Sequence, residues 1–292
     1  MAKVGVIKKD SNNTPATICY CGLTGTGVVY ETPDLPDGTP RELVPITQMK
    51  NNLIILDKAT GHFGHQINGL DETRLLEALG DDNYDMVGKR LPVKELERLG
   101  VEVAKEVPSW RMPYGAFVSA FPHGKVFIND YREFPEITKK YRPVWRLYDW
   151  LIDTFFDKGI ERHNTTNFML FPTISNVDER LPAKQRVFGF NVGDDFACFT
   201  EEFVKSSKNG VVNFSLEGVP LVASYDPKYE SLGIFKRKDD KPIHNTVNVY
   251  GETAIGRKKD TVKLDRLETV KNGLFWFVWQ EFFPDTKVNP TK

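Results

Sequence analysis

The sequence lacks both a strong imbalance of charge and a long apolar run. Its 292 residues include 39 basic and 40 acidic side chains, so no field of one sign would attract nucleic acid or anionic lipid. No stretch approaches the roughly 20 apolar residues of a membrane helix, and the first residues lack the apolar core of a signal peptide. We therefore expect a soluble chain without nucleic-acid or membrane partners. We expect it in the cytoplasm, unless a longer precursor is exported, and its oligomeric state stays open.

Cysteine is scarce, and the common catalytic motifs are missing. Three cysteines in a chain of this length exclude a disulfide framework, and Cys19 and Cys21 are too close in sequence to bridge without strain. Reduced thiols are expected. The patterns Gly-x-Ser-x-Gly, Gly-x-x-x-x-Gly-Lys-Ser/Thr and His-Glu-x-x-His do not occur, which removes the commonest signatures of hydrolases, nucleotide-binding proteins and metalloproteases.

What the chain does contain is a unit that occurs twice. Residues 15–30 resemble residues 220–235, so that Tyr20 is aligned with Tyr225 and Cys21 with Asp226. Residues 113–126 resemble residues 275–288 in the same way. The second copy is shorter in its middle, which is where the first copy holds its histidines. Self-similarity of this kind predicts a duplicated architecture, with chemistry retained in the first copy only.

The predicted fold class is α+β and rich in β-strands. Each copy has two β-branched runs joined by a glycine-containing turn, and then a short aromatic helix that stops at Phe-Pro. Between the copies, residues 142–159 are predicted to form an amphipathic helix that joins the halves, with Gly159 at its end. Residues 186–200 alternate around Gly193 and are predicted to form a hairpin. We expect a first repeat over 1–135 with the candidate metal site, a connecting helix and loop over 136–177, and a degenerate second repeat over 178–292.

Four stretches resemble those of a known family, and they occur in the same order along the chain. They are residues 20–30, 57–61, 66–69 and 180–189. Together they resemble the domain of unknown function family 3179, and the likeness covers roughly residues 15–288. The resemblance implies the fold and a cysteine site, but no activity. The family typically shows Tyr-Cys-Pro-Leu-Cys-Gly, so Cys21 matches its first cysteine and Thr24 replaces the second. Cys19 is an addition, and His62 and His65 stand where the family has serine and tryptophan.

Two cysteines and two histidines of the first repeat form a candidate metal site. Cys19 and Cys21 are two residues apart in a predicted strand, which puts both sulfurs on one face. His62 and His65 are three apart, but flanking glycines predict a turn in which both rings converge. Sulfur and imidazole ligands are those that zinc and copper prefer. We therefore predict Cys19, Cys21, His62 and His65 as metal ligands.

Three chemistries remain open for such a site. Two thiolates and two imidazoles would form a closed, structural zinc site. Cys21, His62 and His65 with an open position would act as a Lewis acid. With copper or iron the same ligands would support redox chemistry, and the soft ligands favour copper over zinc or iron. The favoured hypothesis is a metal-dependent redox enzyme. The alternative is a non-catalytic binding or structural protein with buried cysteines or a structural zinc site, since such residue pairs are often only hydrogen-bonded or apolar.

The substrate of the favoured hypothesis is a small molecule bound between the repeats. The join of two similar domains is a common place for a ligand pocket. We expect Trp110, Trp145 and Tyr225 on the wall of this pocket. Cys21, Tyr20 and Asp226 are the candidate catalytic residues.

Overall fold

A computed structural model describes residues 3–8, 15–80, 83–126, 178–255 and 260–291, and part of residues 147–169. By its contacts the chain divides into two units, one of Met1–Pro122 with Thr173–Lys292 and one of His123–Pro172. The fold is α+β and rich in strands, as predicted. The predicted repeat boundaries remain a prediction. No helix that the structure describes combines the length and the apolar character needed to cross a membrane.

The first unit contains all of the strands and five of the α-helices in the described part of the chain. The strands are β1 (Lys3–Lys8), β2 (Pro15–Cys21), β3 (Thr26–Glu31), β4 (Leu43–Met49), β5 (Asn52–Asp57), β6 (Phe63–His65), β7 (Arg186–Val192), β8 (Asp195–Thr200), β9 (Val211–Leu216), β10 (Val219–Asp226), β11 (Ser231–Lys236), β12 (Glu252–Ile255), β13 (Asp260–Lys263), β14 (Asp265–Arg266), β15 (Lys271–Phe275) and β16 (Lys287–Val288). The helices are α1 (Glu72–Leu79), α2 (Val93–Leu99), α3 (Tyr114–Ala120), α4 (Glu201–Ser206) and α5 (Trp276–Phe282).

Two antiparallel sheets contain the strand pairs that the sequence aligns. One has the order β1-β2-β3 and the other β14-β11-β10-β9. The aligned strands β2 and β10 both end at the aligned positions Cys21 and Asp226, and β3 and β11 begin at the aligned positions Thr26 and Ser231. A preceding strand, β1 or β9, pairs with the first strand of each set. These correspondences support the duplication, which remains a prediction.

The predicted aromatic helices are α3 and α5, and they stop in the same way. The residue after α3, Phe121, has φ −130° and ψ 71°, and the residue after α5, Phe283, has φ −134° and ψ 68°. A proline follows each of them, and proline cannot continue a helix. Ala120 of α3 packs on Tyr229 from the second copy. Phe282 of α5 contacts the His65 ring of the first copy. Each helix therefore packs against residues that the sequence assigns to the other predicted copy.

The predicted hairpin is β7 and β8, which belong to a sheet of order β15-β7-β8-β16. Phe188, Phe190 and Phe199 of this hairpin are buried in an extended apolar core. Gly189 lies under the indole ring of Trp279, so that a Cβ there would be 2.5 Å from Trp279 Cζ3. Glycine at this position is what lets α5 approach the sheet.

The predicted connecting helix belongs to the second unit. The described residues between Leu147 and Gly159 are helical, but Gly159 is itself helical and helical residues continue to Thr165. The predicted end at Gly159 is therefore wrong. Leu147 and Phe155 are exposed, at 59% and 74% of their surface. Val144 lies outside the described residues.

Candidate functional site

The candidate site lies where the sheet β4-β5-β6 meets the first turn of α1. Strand β6 pairs with β5, with Ile54 opposite His65 and Ile55 opposite Gly64. Asp71 caps α1, because its Oδ1 accepts a hydrogen bond from the backbone NH of Arg74 at 3.0 Å. Asp71 and Glu72 therefore present two consecutive carboxylates beside β6.

His62 is paired with Asp71 at the wall of a pocket. His62 Nδ1 donates to Asp71 Oδ2 at 2.8 Å, and the two side chains keep 22% and 29% of their surface exposed. The pocket has a volume of about 600 Å³ and is referred to here as the β6 pocket. Its lining combines apolar and charged side chains, among them Leu35, Arg41, Ile55, Asp57, Phe63 and Arg74.

His65 is paired with Glu72 in the core. His65 Nδ1 lies 2.7 and 2.8 Å from the two carboxylate oxygens, and neither side chain has any exposed surface. The backbone NH of Gly88 donates to Glu72 Oε1 at 3.1 Å. Phe282 meets the imidazole edge-on, with ring centres 5.1 Å apart. His65 Nε2 is buried and has no hydrogen-bond partner in the described part of the chain.

The predicted turn that would bring both imidazoles together is wrong. Phe63–His65 is a strand, because β5 supplies its backbone hydrogen bonds. Gly64 lies within this strand, and glycine is needed there because a Cβ would collide with the carbonyl oxygen of Leu70. The ring of His62 therefore borders the β6 pocket, whereas the ring of His65 lies in the core.

Cys19 and Cys21 share the buried face of β2, as predicted, and both are reduced. Gln48 Nε2 donates to Cys21 Sγ at 3.4 Å. Burial raises the pKa of the Cys19 thiol to about 12, so this thiol is protonated at neutral pH. A protonated thiol is a poor nucleophile. A bound metal ion would itself deprotonate the thiol, so the predicted role of Cys19 as a metal ligand stays a prediction.

The sulfur of Cys21 and the imidazole of His65 lie on different sides of a sheet. Gln48, which contacts Cys21, pairs with Leu53, whereas His65 pairs with Ile54. Because side chains alternate along a strand, Gln48 and His65 project from opposite faces. In the described residues no group of three or more His, Cys, Asp or Glu side chains is placed to hold a metal ion. The structure thus does not gather the four predicted ligands into one centre, and metal binding remains a prediction.

The predicted catalytic residues outside this region have separate surroundings. Tyr20 is 46% exposed on the face of β2 opposite the cysteines. Asp226 is buried and accepts hydrogen bonds from the backbone NH groups of Lys228 and Val249 at 3.0 Å each. Asp226 therefore holds a turn and a neighbouring loop, although the sequence aligns it with Cys21.

Two of the three residues predicted to line the substrate pocket, Trp110 and Tyr225, are covered by cations. The guanidinium of Arg266 covers the Trp110 ring at 3.2 Å, and Lys205 covers the Tyr225 ring at 4.4 Å. Trp145 lies outside the described residues. A different pocket, of about 510 Å³, is lined by Lys50, Gly88 and Arg90 and by Phe196 and Phe282. Neither Trp110 nor Tyr225 belongs to its lining.

Sequence reasoning missed the two carboxylates that hold the histidines. A signal for them was present, because Asp71 precedes apolar residues at helical spacing, Leu75, Leu76 and Leu79. An aspartate in that place is typical of a helix N-cap, and an acidic residue after it is typical of a first turn. The cap predicts α1, but only the tertiary pairing of β6 reveals the histidine partners.

Fold and site together define a strand-rich α+β protein with two histidine–carboxylate pairs at the start of one helix. The family model described as "Protein of unknown function (DUF3179)" matches residues 4–286. The chain therefore belongs to this family, as its motifs indicated. No curated protein and no solved structure matches the chain.

Proposed function

We propose that this protein is an enzyme that acts on a small molecule bound in the β6 pocket, with His62 as its acid–base residue. The observation that carries the proposal is the 2.8 Å hydrogen bond between His62 Nδ1 and Asp71 Oδ2 at the pocket wall. A carboxylate on one ring nitrogen fixes the orientation and tautomer of an imidazole. Nε2 is then the ring nitrogen that is left to exchange a proton with a ligand.

The pocket has the size and the mixed character of a small-molecule site. Ligand pockets typically have volumes of about 300–1,000 Å³, with mostly apolar walls and a few polar groups. Here Leu35, Ile55 and Phe63 supply apolar wall. The cations Arg41 and Arg74 are only loosely held by acidic neighbours, at 3.8 Å from Asp57 and 3.7 Å from Glu77. Both guanidinium groups are therefore able to turn towards a polar substrate group.

The proposal is tested by incubating the purified protein with a mixture of small metabolites and following their consumption by mass spectrometry. We expect at least one compound to be consumed, and His62→Gln to abolish its turnover. Asp71→Asn should also reduce the turnover, because Asp71 orients the ring of His62. His244→Gln is the matched control, since His244 is exposed in a loop of the second copy. Turnover that survives His62→Gln would contradict the proposal.

The metal-dependent redox enzyme is the second candidate. One observation favours it: both imidazoles have a carboxylate on Nδ1, the arrangement that orients histidines in many metal sites. Elemental analysis and an absorption spectrum of unchelated protein test it, with copper expected ahead of zinc or iron. Metal content that is unchanged by Cys21→Ser and by His65→Ala would show that the predicted ligand set is wrong. Metal-free, colourless, folded protein would contradict this second candidate.

A further inference from the structure

A second pocket of this protein shares no lining residue with the β6 pocket. It is the pocket of about 510 Å³ described above, and it is referred to here as the Lys50 pocket. Its apolar wall consists of Phe196, Phe282 and Phe283. Phe196 stacks on Phe283 with ring centres 4.2 Å apart and ring planes 12° apart. The volume and the aromatic wall are those of a site for a small organic molecule.

Lys50, at the wall of this pocket, has a backbone conformation that lysine rarely adopts. Lys50 and Asn51 form the two-residue turn between β4 and β5, with φ of 49° and 55°. Both values lie in the left-handed region, where glycine and asparagine are favoured. Strained residues of this kind cluster at functional sites. Glycine at position 50 would form the turn more easily, so the fold alone does not explain the lysine.

The side chain of Lys50 lies against Gly88. A Cβ at Gly88 would be 3.0 Å from Lys50 Cδ and 3.3 Å from Lys50 Nζ, so the absence of a side chain at Gly88 makes room for the lysine. Lys50 is half-buried, and its Nζ forms neither a hydrogen bond nor an ion pair within the parts of the chain that the structure describes. The ammonium group is therefore held at the pocket and is available to a ligand.

Arg90 is a second cation of the same wall. Its Nη1 donates to the carbonyl oxygen of Asn68 at 3.2 Å, and its guanidinium lies 5.8 Å from the ring centre of Phe196. Its Nε has no hydrogen-bond partner, and its guanidinium has no ion pair, among the described residues. Burial lowers the pKa of Arg90, and the charge of Glu106 opposes this shift. Because an arginine stays protonated in proteins, two cations without an ion pair border this pocket.

The pocket wall also contains acidic residues, and they limit the charge of a ligand. They are Asp194, Asp195, Glu281 and Asp285. Asp194 Oδ1 accepts a hydrogen bond from the backbone NH of Val93 at 2.8 Å, and Asp195 pairs with Lys287. Because the wall carries charges of both signs, it disfavours a ligand with several negative charges. A ligand with a single negative charge fits it better.

We propose that the Lys50 pocket binds a small organic molecule with one carboxylate and an apolar body. The carboxylate accepts charge-assisted hydrogen bonds from Lys50 and Arg90, and the apolar body packs on the phenylalanine wall. The strained conformation of Lys50 is then explained by the ammonium group that it places at the wall. The site is independent of the proposed function, because none of its residues belongs to the β6 pocket.

The test is a calorimetric titration of the full chain with 3-phenylpropionate, benzoate and hexanoate, and with the uncharged amide of each, at constant ionic strength. We expect saturable binding of at least one carboxylate. Its amide should bind about ten-fold more weakly or worse, as the loss of charge-assisted hydrogen bonds predicts.

Lys50→Gly separates ligand binding from folding. Glycine adopts a φ of 49° readily, so this variant should have a higher urea midpoint than the wild type. It should nevertheless bind the carboxylate about ten-fold more weakly, because the ammonium group is lost. Arg90→Gln should weaken binding to a similar extent. Arg41→Gln is the matched control, since Arg41 lines the β6 pocket and not the Lys50 pocket, and it should leave binding unchanged.

Several results would overturn the proposal. They are the absence of saturable binding for all three carboxylates, amides that bind as tightly as the carboxylates, and Lys50→Gly protein that binds like the wild type. Binding that is weakened by Arg41→Gln instead would assign the carboxylate to the β6 pocket. Arg90→Gln removes the contact with Asn68 and could unfold the chain, in which case Lys50→Gly decides the question alone. Turnover in the β6 pocket is measured separately, so failure here does not count against the proposed function.

Discussion

His65 Nδ1 lies 2.7 and 2.8 Å from the two carboxylate oxygens of Glu72, and both side chains are buried without access to solvent. Removal of one partner leaves the other without its hydrogen bonds in the core. We expect Glu72→Ala to lower the free energy of unfolding by about 3 kcal/mol or more, because an unpaired polar group and a cavity remain. Urea denaturation followed by circular dichroism measures this loss.

Asp71→Ala is the matched control for that experiment. It removes the neighbouring carboxylate, which is partly exposed and caps α1, so its cost should be about 1 kcal/mol. Equal losses for the two variants would contradict the assignment of His65–Glu72 as a core pair and His62–Asp71 as a pocket pair.

The cysteines should be slow to react in the folded protein. Cys19, Cys21 and Cys198 are all buried, and burial raises the pKa of Cys19 and of Cys198 to about 12. Because only the thiolate attacks, labelling of Cys19 and Cys198 by a disulfide reagent should stay slow from neutral pH to about pH 10. Labelling of all three cysteines should become fast when urea unfolds the chain. Rapid labelling of the native protein would instead support a redox role for these thiols.

Cys21→Ala should cost about 1–3 kcal/mol of stability, as an ordinary core truncation does. The sulfur also accepts a hydrogen bond from Gln48. Cys21→Ser keeps a hydrogen-bond acceptor at this position, so its comparison with Cys21→Ala separates the loss of the hydrogen bond from the loss of packing. Equilibrium unfolding measures the stability of both variants. A change of metal content in either variant would favour Cys21 as a metal ligand over Cys21 as an ordinary buried core residue.

Local patterns predicted the parts of this fold that depend on local chemistry. The Phe-Pro stops after α3 and α5, and the hairpin around Gly193, follow from the backbone properties of proline and glycine. The shared face of Cys19 and Cys21 follows from the two-residue period of a strand.

The site depends on long-range pairing, which no local pattern contains. His62 and His65 face different surroundings because Phe63–His65 pairs with β5 and becomes a strand of the sheet. The ring of Trp110 is covered by Arg266, which is distant in sequence, so no local pattern could have predicted this contact. The partners Asp71 and Glu72 become visible only when α1 is placed beside β6.

Gly189 provides a test of how closely α5 packs on the hairpin. A Cβ at Gly189 would lie 2.5 Å from Trp279 Cζ3, and both groups belong to rigid elements in the core. We expect Gly189→Ala to destabilise the fold by about 1–3 kcal/mol through overpacking. The shift of the urea midpoint measures the effect.

Gly115→Ala is the opposite case and serves as the control. Gly115 lies inside α3, and a Cβ there would meet nothing within 4 Å. Alanine favours a helix over glycine by about 1 kcal/mol, so this variant should be more stable than the wild type. Destabilisation by both substitutions would contradict the packing described for α3 and α5.

The buried pair of Lys271 and Glu106 ties β15 to the segment that follows α2. The two side chains are only 3% and 8% exposed. Burial lowers the pKa of Lys271, and the charge of Glu106 opposes this shift. Lys271→Met would leave the carboxylate buried without its partner, so we expect a loss of about 3–5 kcal/mol in equilibrium unfolding.

The double variant Lys271→Met with Glu106→Leu decides whether the loss comes from the unpaired charge. Replacement of both partners removes two desolvated charges at once, and such replacements are often neutral in stability. We therefore expect the double variant to recover most of the stability that Lys271→Met loses. A double variant as unstable as the single one would mean that Lys271 acts through its packing and through its contact with the Thr269 carbonyl oxygen at 3.3 Å, and not through its charge.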